Sequence, residues 1–243
     1  MNVRFGRGKS GTLVGLLFVV VVAGAGVAQA EAAPNLCVAT NGQVRVQRGT
    51  ATCAADAGNV AIAKGDGSSA TATAGGSEFV TDTKNVVKAF GDGSSASVRG
   101  GERNKVTASG DGSRAEATFS SGNAIVASGD GSIASAFFSD NNTITATGDD
   151  SNAFAIDGGG SAVVASGDGS VAASALDASD STAIASGQDS FAFAFGGTGN
   201  TAIASGDGST AVAGSSDGNT AIASTDGCAA NAIPVTGTTT VTC

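Results

Sequence analysis

The chain has 243 residues, 38 of them glycine and none His, Trp or Tyr, and its 12 basic and 21 acidic side chains leave a net charge of −9. That balance speaks against nucleic-acid binding, and without histidine the commonest general base and the usual triads are missing, so no enzyme is expected. A mean hydropathy of +0.17 with 14% charged residues favours a repetitive fold over a solvated coil.

Residues 1–30 read as an export signal. Arg4, Arg7 and Lys9 precede the apolar run Leu13 to Val22, and the small-residue site Ala28-Gln29-Ala30 follows. The run is shorter than the roughly 20 residues of a spanning helix, so cleavage before Glu31 is expected, with no integral membrane segment afterwards. The mature chain would carry nine basic and 21 acidic residues, a net charge of −12. All four cysteines lie beyond the signal, which fits an oxidising compartment and a secreted or wall-associated protein.

Residues 31–48 form an N-terminal cap segment, and residues 49–224 are repeats. Related turns begin at Gly65, Gly91, Gly110, Gly129, Gly148, Gly167, Gly187 and Gly206, with a variant at Thr225; the intervals are 26, 19, 19, 19, 19, 20, 19 and 19. The long first interval holds an insertion near Gly75 to Thr83, and the 20 is a one-residue loop extension. The consensus is G-D-G-S-x-A-x-A, a variable turn, then N-x-A/V/I-x-A-S. Both halves alternate with period two between Gly, Asp, Asn and Ser turn residues, as strands do. The expected fold is all-β: a parallel β-solenoid of about ten coils with two short strands each, ~4.8 Å apart and on the order of 45 Å long. The two prolines, Pro34 and Pro234, flank the repeats, as they should if interior strands must donate ladder hydrogen bonds.

Charge decides the inward parity, because a lone buried charge costs far more than an exposed alanine. Arg99, Arg114 and Glu116 place the first strand's other parity inside: Ser94, Ser113, Ser132, Ser170 and Ser209, then Ala96, Ala115, Ala134, Ala153, Ala172, Ala192 and Ala211. Lys64, Lys88 and Lys105 do the same for the second strand, turning Val87, Val106, Ile125, Ile144, Val163 and Ala202 inward. An asparagine opens that strand at Asn59, Asn85, Asn104, Asn123, Asn142, Asn200 and Asn219, placed to form an amide ladder from coil to coil.

Residues 225–243 read as a C-terminal cap coil. The cysteines fall in two pairs, Cys37 with Cys53 and Cys228 with Cys243. Each would staple one end, and ends ~45 Å apart exclude cross-pairing. The Asp column of the Gly-Asp-Gly turns could take up calcium to relieve repulsion between stacked carboxylates, or could simply be good turn chemistry; no cofactor is the expectation.

Two outward faces are candidates for function. The first strands carry Ile133, Phe137, Phe154, Ile156, Val171, Phe191, Phe193, Phe195 and Val212 on the outward parity, an apolar patch of the kind that marks an interface with a protein, a glycan or a sibling chain. The second strands carry Thr143, Thr145 and Thr147, then Thr182 and Ile184, Thr201 and Ile203, and Thr220 and Ile222. These Thr arrays resemble the ice-binding faces of some antifreeze proteins, although strand propensity alone also selects Thr and Ile.

Asn200 to Ala213 reads N-T-A-I-A-S-G-D-G-S-T-A-V-A, and Asn123 to Ser132 reads N-A-I-V-A-S-G-D-G-S. Over residues 58–227 these segments resemble the haemagglutinin-type head repeats of trimeric autotransporter adhesins. The resemblance implies a parallel β-roll that trimerises and contacts host or matrix surfaces. Here the repeat is longer, and neither a heptad stalk nor a membrane-anchoring barrel follows it.

Overall fold

In the computed structural model, residues 34–74, 83–175, 178–233 and 239–243 are described. Residues 1–30, expected to be an export signal, and most of the insertion near Gly75 to Thr83 lie outside them. The strands belong to one compact unit, Ala33–Cys243.

The chain begins with a hairpin of β1 (Leu36–Thr40) and β2 (Gln43–Arg48). First and second strands of successive coils then alternate: β3 (Thr52–Ala55) and β4 (Val60–Lys64), β5 (Ser69–Thr73) and β6 (Val86–Phe90), β7 (Ser95–Arg99) and β8 (Lys105–Ala108). They continue with β9 (Arg114–Thr118) and β10 (Ala124–Ala127), β11 (Ile133–Asp140) and β12 (Thr143–Ala146), β13 (Asn152–Gly159) and β14 (Ala162–Ala165). Next come β15 (Val171–Ser174), the short β16 (Ala178–Ser179), β17 (Thr182–Ala185), β18 (Phe191–Ala194), the short β19 (Gly197–Thr198) and β20 (Thr201–Ala204). The last four are β21 (Thr210–Ala213), β22 (Thr220–Ala223), β23 (Ala229–Ala232) and β24 (Thr240–Thr242).

All first strands join one ten-stranded parallel sheet from β3 to β23. All second strands join a twelve-stranded sheet that β1 and β2 complete at its N-terminal edge. This is a parallel β-solenoid. Its register follows the repeat: Ile125 pairs with Ile144 nineteen residues on, Ala162 with Thr182 twenty on, and Ser69 with Ser95 across the insertion. The N-terminal cap differs in kind from the coils, because β1 runs antiparallel to both β2 and β4. Its outer edge strand exposes Arg45, Gln47 and Arg48, polar side chains that discourage further pairing at that end.

The interior is narrow and small-sided. The inward Ser and Ala columns of the first sheet are buried throughout, and they face Val87, Val106, Ile125, Ile144 and Val163 of the second, all at 0% exposure. From Ala183 on, through Ala202 and Ala221, that second-sheet column shrinks to alanine. Side chains of this size bury little apolar area each, so backbone ladders and stacked polar columns must supply much of the cohesion.

The turn glycines show how close the coils lie. A Cβ on Gly148 would sit 2.4 Å from the carbonyl carbon and oxygen of Gly167, and Gly65, Gly91, Gly110, Gly129, Gly167 and Gly187 meet the next coil in the same way. Thr225 heads the last turn of this series, and it is the one that carries a larger side chain.

The asparagine column is buried and bonded in one direction. Asn85 Oδ1 accepts from the backbone N–H (2.8 Å) and Nδ2 (3.1 Å) of Asn104, and the same pair of bonds links Asn104 to Asn123 and Asn123 to Asn142. Ser161 and Ser181 interrupt the amides, and Asn200 and Asn219 resume them. Each asparagine side-chain oxygen, and Ser161 Oγ, thus accepts an N–H at the corner where the chain leaves the ladder, a group that would otherwise be orphaned in the interior, while the Ser181 hydroxyl donates to the Ser179 carbonyl instead.

The four cysteines pair as Cys37–Cys53 and Cys228–Cys243, with Cα separations of 5.6 and 6.2 Å. The first bond ties the hairpin to the first coil. The second ties the last inward Ser position to the end of β24.

Candidate functional surface

Three exposed features repeat along the stack, and each has its own chemistry. At the Gly-Asp-Gly edge, every carboxylate in a consecutive run reaches back one coil. Asp92 Oδ1 accepts the backbone N–H of Asp66 at 2.7 Å, and Asp111, Asp130, Asp149 and Asp168 each accept the amide of the Asp one coil earlier, at 2.8 to 3.1 Å. Past the break at Gln188, Asp207 accepts the Gln188 amide and Asp226 that of Asp207. Backbone dipoles therefore stabilise the stacked negative charges locally. Among the described residues, no three acidic or cysteine side chains converge as a metal site would require.

On the outer face of the twelve-stranded sheet, parallel register lines up Thr182, Thr201, Thr220 and Thr240 in one row and Ile184, Ile203 and Ile222 in the next. Lys88 and Lys105 stand in the same two rows of earlier coils, so the Thr and Ile array is confined to the C-terminal half.

The outer face of the ten-stranded sheet is the most distinctive. Its central row runs Glu116, Ser135, Phe154, Ala173, Phe193, Val212 in successive coils. Large and small alternate. Phe154 and Phe193 stand on either side of Ala173, which is 8% exposed, while Ser135, between Glu116 and Phe154, is 4% exposed. Ser135 floors an open hollow walled by Arg114, Glu116, Ile133, Phe137 and Phe154. On β18 and the residue that follows it, three rings succeed one another: Phe191 and Phe193 have centroids 5.9 Å apart and Phe193 and Phe195 5.7 Å. Phe191 and Phe195 are 37% and 43% exposed. Two coils earlier, on β13, Ile156 lies half-buried in the row of Phe137. At the patch's basic end, the Arg114 guanidinium bonds Glu116 at 2.6 Å and remains 58% exposed.

Alternation of residues missed a second aromatic feature. Phe119 and Phe138 stack at 5.9 Å with their planes within 8°, and both are more than half exposed, Phe119 just past the end of β9 and Phe138 in the extended C-terminal part of β11. Phe119 has φ +48°, a left-handed conformation that ends the strand's alternation, so parity counting does not reach it. The signal available in sequence was the nineteen-residue interval between the two.

Charge is divided along the stack. Residues 31–114 hold nine basic and eight acidic side chains, whereas residues 115–243 hold thirteen acidic and no basic ones. One end is close to neutral with exposed cations, and the rest is strongly anionic.

No protein-family model, curated protein or solved structure matches the chain.

Proposed function

We propose that this is an exported, non-catalytic repeat protein of structural or adhesive kind, secreted or held at the cell wall, which acts by presenting the aromatic face of the ten-stranded sheet to a protein, a glycan or a sibling chain. The observation that carries this reading is the ring cluster Phe191, Phe193 and Phe195, with Phe191 and Phe195 exposed and Phe193 half-buried between them, on a sheet whose interior is already filled. The stacked turns are uniform along the chain, whereas a catalytic site needs a singular constellation of groups. The resemblance to adhesin head repeats points the same way. Substituting Phe193→Asp in the processed protein should reduce retention on matrix protein or glycan surfaces, or reduce self-association, while circular dichroism stays that of the wild type. If neither retention nor self-association changes, this reading is wrong.

A second reading rests on the aligned Thr182, Thr201, Thr220 and Thr240 row, whose regular spacing suits an ordered water layer. For an ice-binding solenoid, Thr201→Lys with Thr220→Lys should abolish partition into growing ice. Absence of wild-type partition would remove this alternative. A calcium-stabilised roll is the remaining variant, and a chelator that leaves the melting temperature unchanged rejects it.

A further inference from the structure

The reading above leaves the partner open; resting on it, we infer that the aromatic face takes a second copy of this chain, packed face to face with its stack running in the opposite direction.

The first argument is shape. Number the coils of β11, β13, β15 and β18 from one to four. Their central residues are Ser135, Phe154, Ala173 and Phe193, in the order hollow, ring, hollow, ring. A two-fold axis parallel to the strands, midway between Phe154 and Ala173, sets coil one against coil four and coil two against coil three. Phe193 of one copy then enters the hollow floored by Ser135 of the other, and Phe154 covers Ala173, each contact occurring twice. Such an interface is isologous, the form most soluble dimers take. A two-fold axis along the stack would instead set Phe154 on Phe154 and Phe193 on Phe193, ring against ring with the hollows facing each other empty.

The second argument is charge. The same operation carries the coils of Arg99 and Arg114 onto the coils of the other copy's β23 and β21, flanked by turns holding Asp207, Asp217 and Asp226. Cations thereby meet the anionic half of the partner, whereas a parallel arrangement sets anionic half against anionic half. The overlap spans eight coils, about 38 Å by 17 Å at ordinary strand spacings. That is about 650 Å² in plan, comparable to the roughly 800 Å² per partner of stable interfaces.

The test uses the disulfide-intact protein beginning at Glu31, examined by sedimentation velocity over a range of concentrations. A dimer is expected, weakened by salt. Ala173→Phe separates specific pairing from general stickiness. It adds apolar surface, so indiscriminate association would strengthen, whereas filling the hollow that Phe154 occupies should raise the dimer dissociation constant about tenfold or more. Orientation is tested by Thr210→Lys, which sets a cation opposite Arg114 of the partner and should weaken the dimer; adding Arg114→Glu to it should restore pairing. A monomer at all concentrations, a tighter dimer with Ala173→Phe, or no restoration by the charge exchange overturns the inference. If the protein is monomeric yet Phe193→Asp still abolishes retention on a matrix or glycan surface, self-pairing is rejected and the docking role of the face survives.

Discussion

Replacing Gly148 with alanine tests the stacking directly. The new Cβ would lie 2.4 Å from the carbonyl carbon and oxygen of Gly167 and 2.7 Å from the amide nitrogen of Asp168. Backbone, not a flexible side chain, is what it meets, and an ordinary contact begins near 3.4 Å, so the two turns must separate locally by about 1 Å. That movement breaks the bonds from the Asp149 N–H to Asp168 Oδ1 (3.1 Å) and from the Gly169 N–H to the Asp149 carbonyl (2.8 Å). At about 1 kcal/mol net for each bond, with a further ~1 kcal/mol or more for displaced packing, the cost is about 3 kcal/mol. Urea denaturation followed by far-UV circular dichroism reads this loss. Two controls isolate the cause. Gly112 has φ +65° and open space around its missing Cβ, so Gly112→Ala should cost only about 1 kcal/mol of left-handed backbone strain. Thr225→Ala, in the last turn of the series, should fall within about 0.5 kcal/mol of wild type. If Gly148→Ala proves no worse than Gly112→Ala, close backbone stacking is not what makes this glycine necessary.

Asn123→Ala should cost about 3 kcal/mol in the same assay, because the buried Asn142 N–H and Nδ2 and the Ser139 carbonyl all lose a partner. Asn123→Ser should cost less, since Ser161 already serves in this column by accepting the Ser181 N–H at 3.3 Å. Reducing the disulfides, which span 16 and 15 residues, should remove about 3 kcal/mol each in the chain-entropy model. Hydrogen exchange should then show protection lost first in β1, β2, β23 and β24, with the central coils still protected.

The coil period, the two strands per coil and the inward parity were all legible in the sequence, because each is a local property: alternation with period two, charges that refuse burial, and turn residues at fixed intervals. The one-residue loop extension was readable too, and the register of Ala162 with Thr182 absorbs it. The direction of the N-terminal cap was not, since the alternation of Leu36 to Thr40 is the same whether the strand runs parallel or antiparallel to its neighbour. Nor does sequence rank the possible partners of the Asp column; only the placement of each carboxylate against the preceding coil's amide gives it a named donor. The relief of the aromatic face belongs to the same class, because the depth of Ala173 and Ser135 depends on the rings that neighbouring coils raise beside them. Periodicity along the chain determines what each coil is, whereas the contacts between coils join residues nineteen or more apart, and their geometry exists only once the stack has formed.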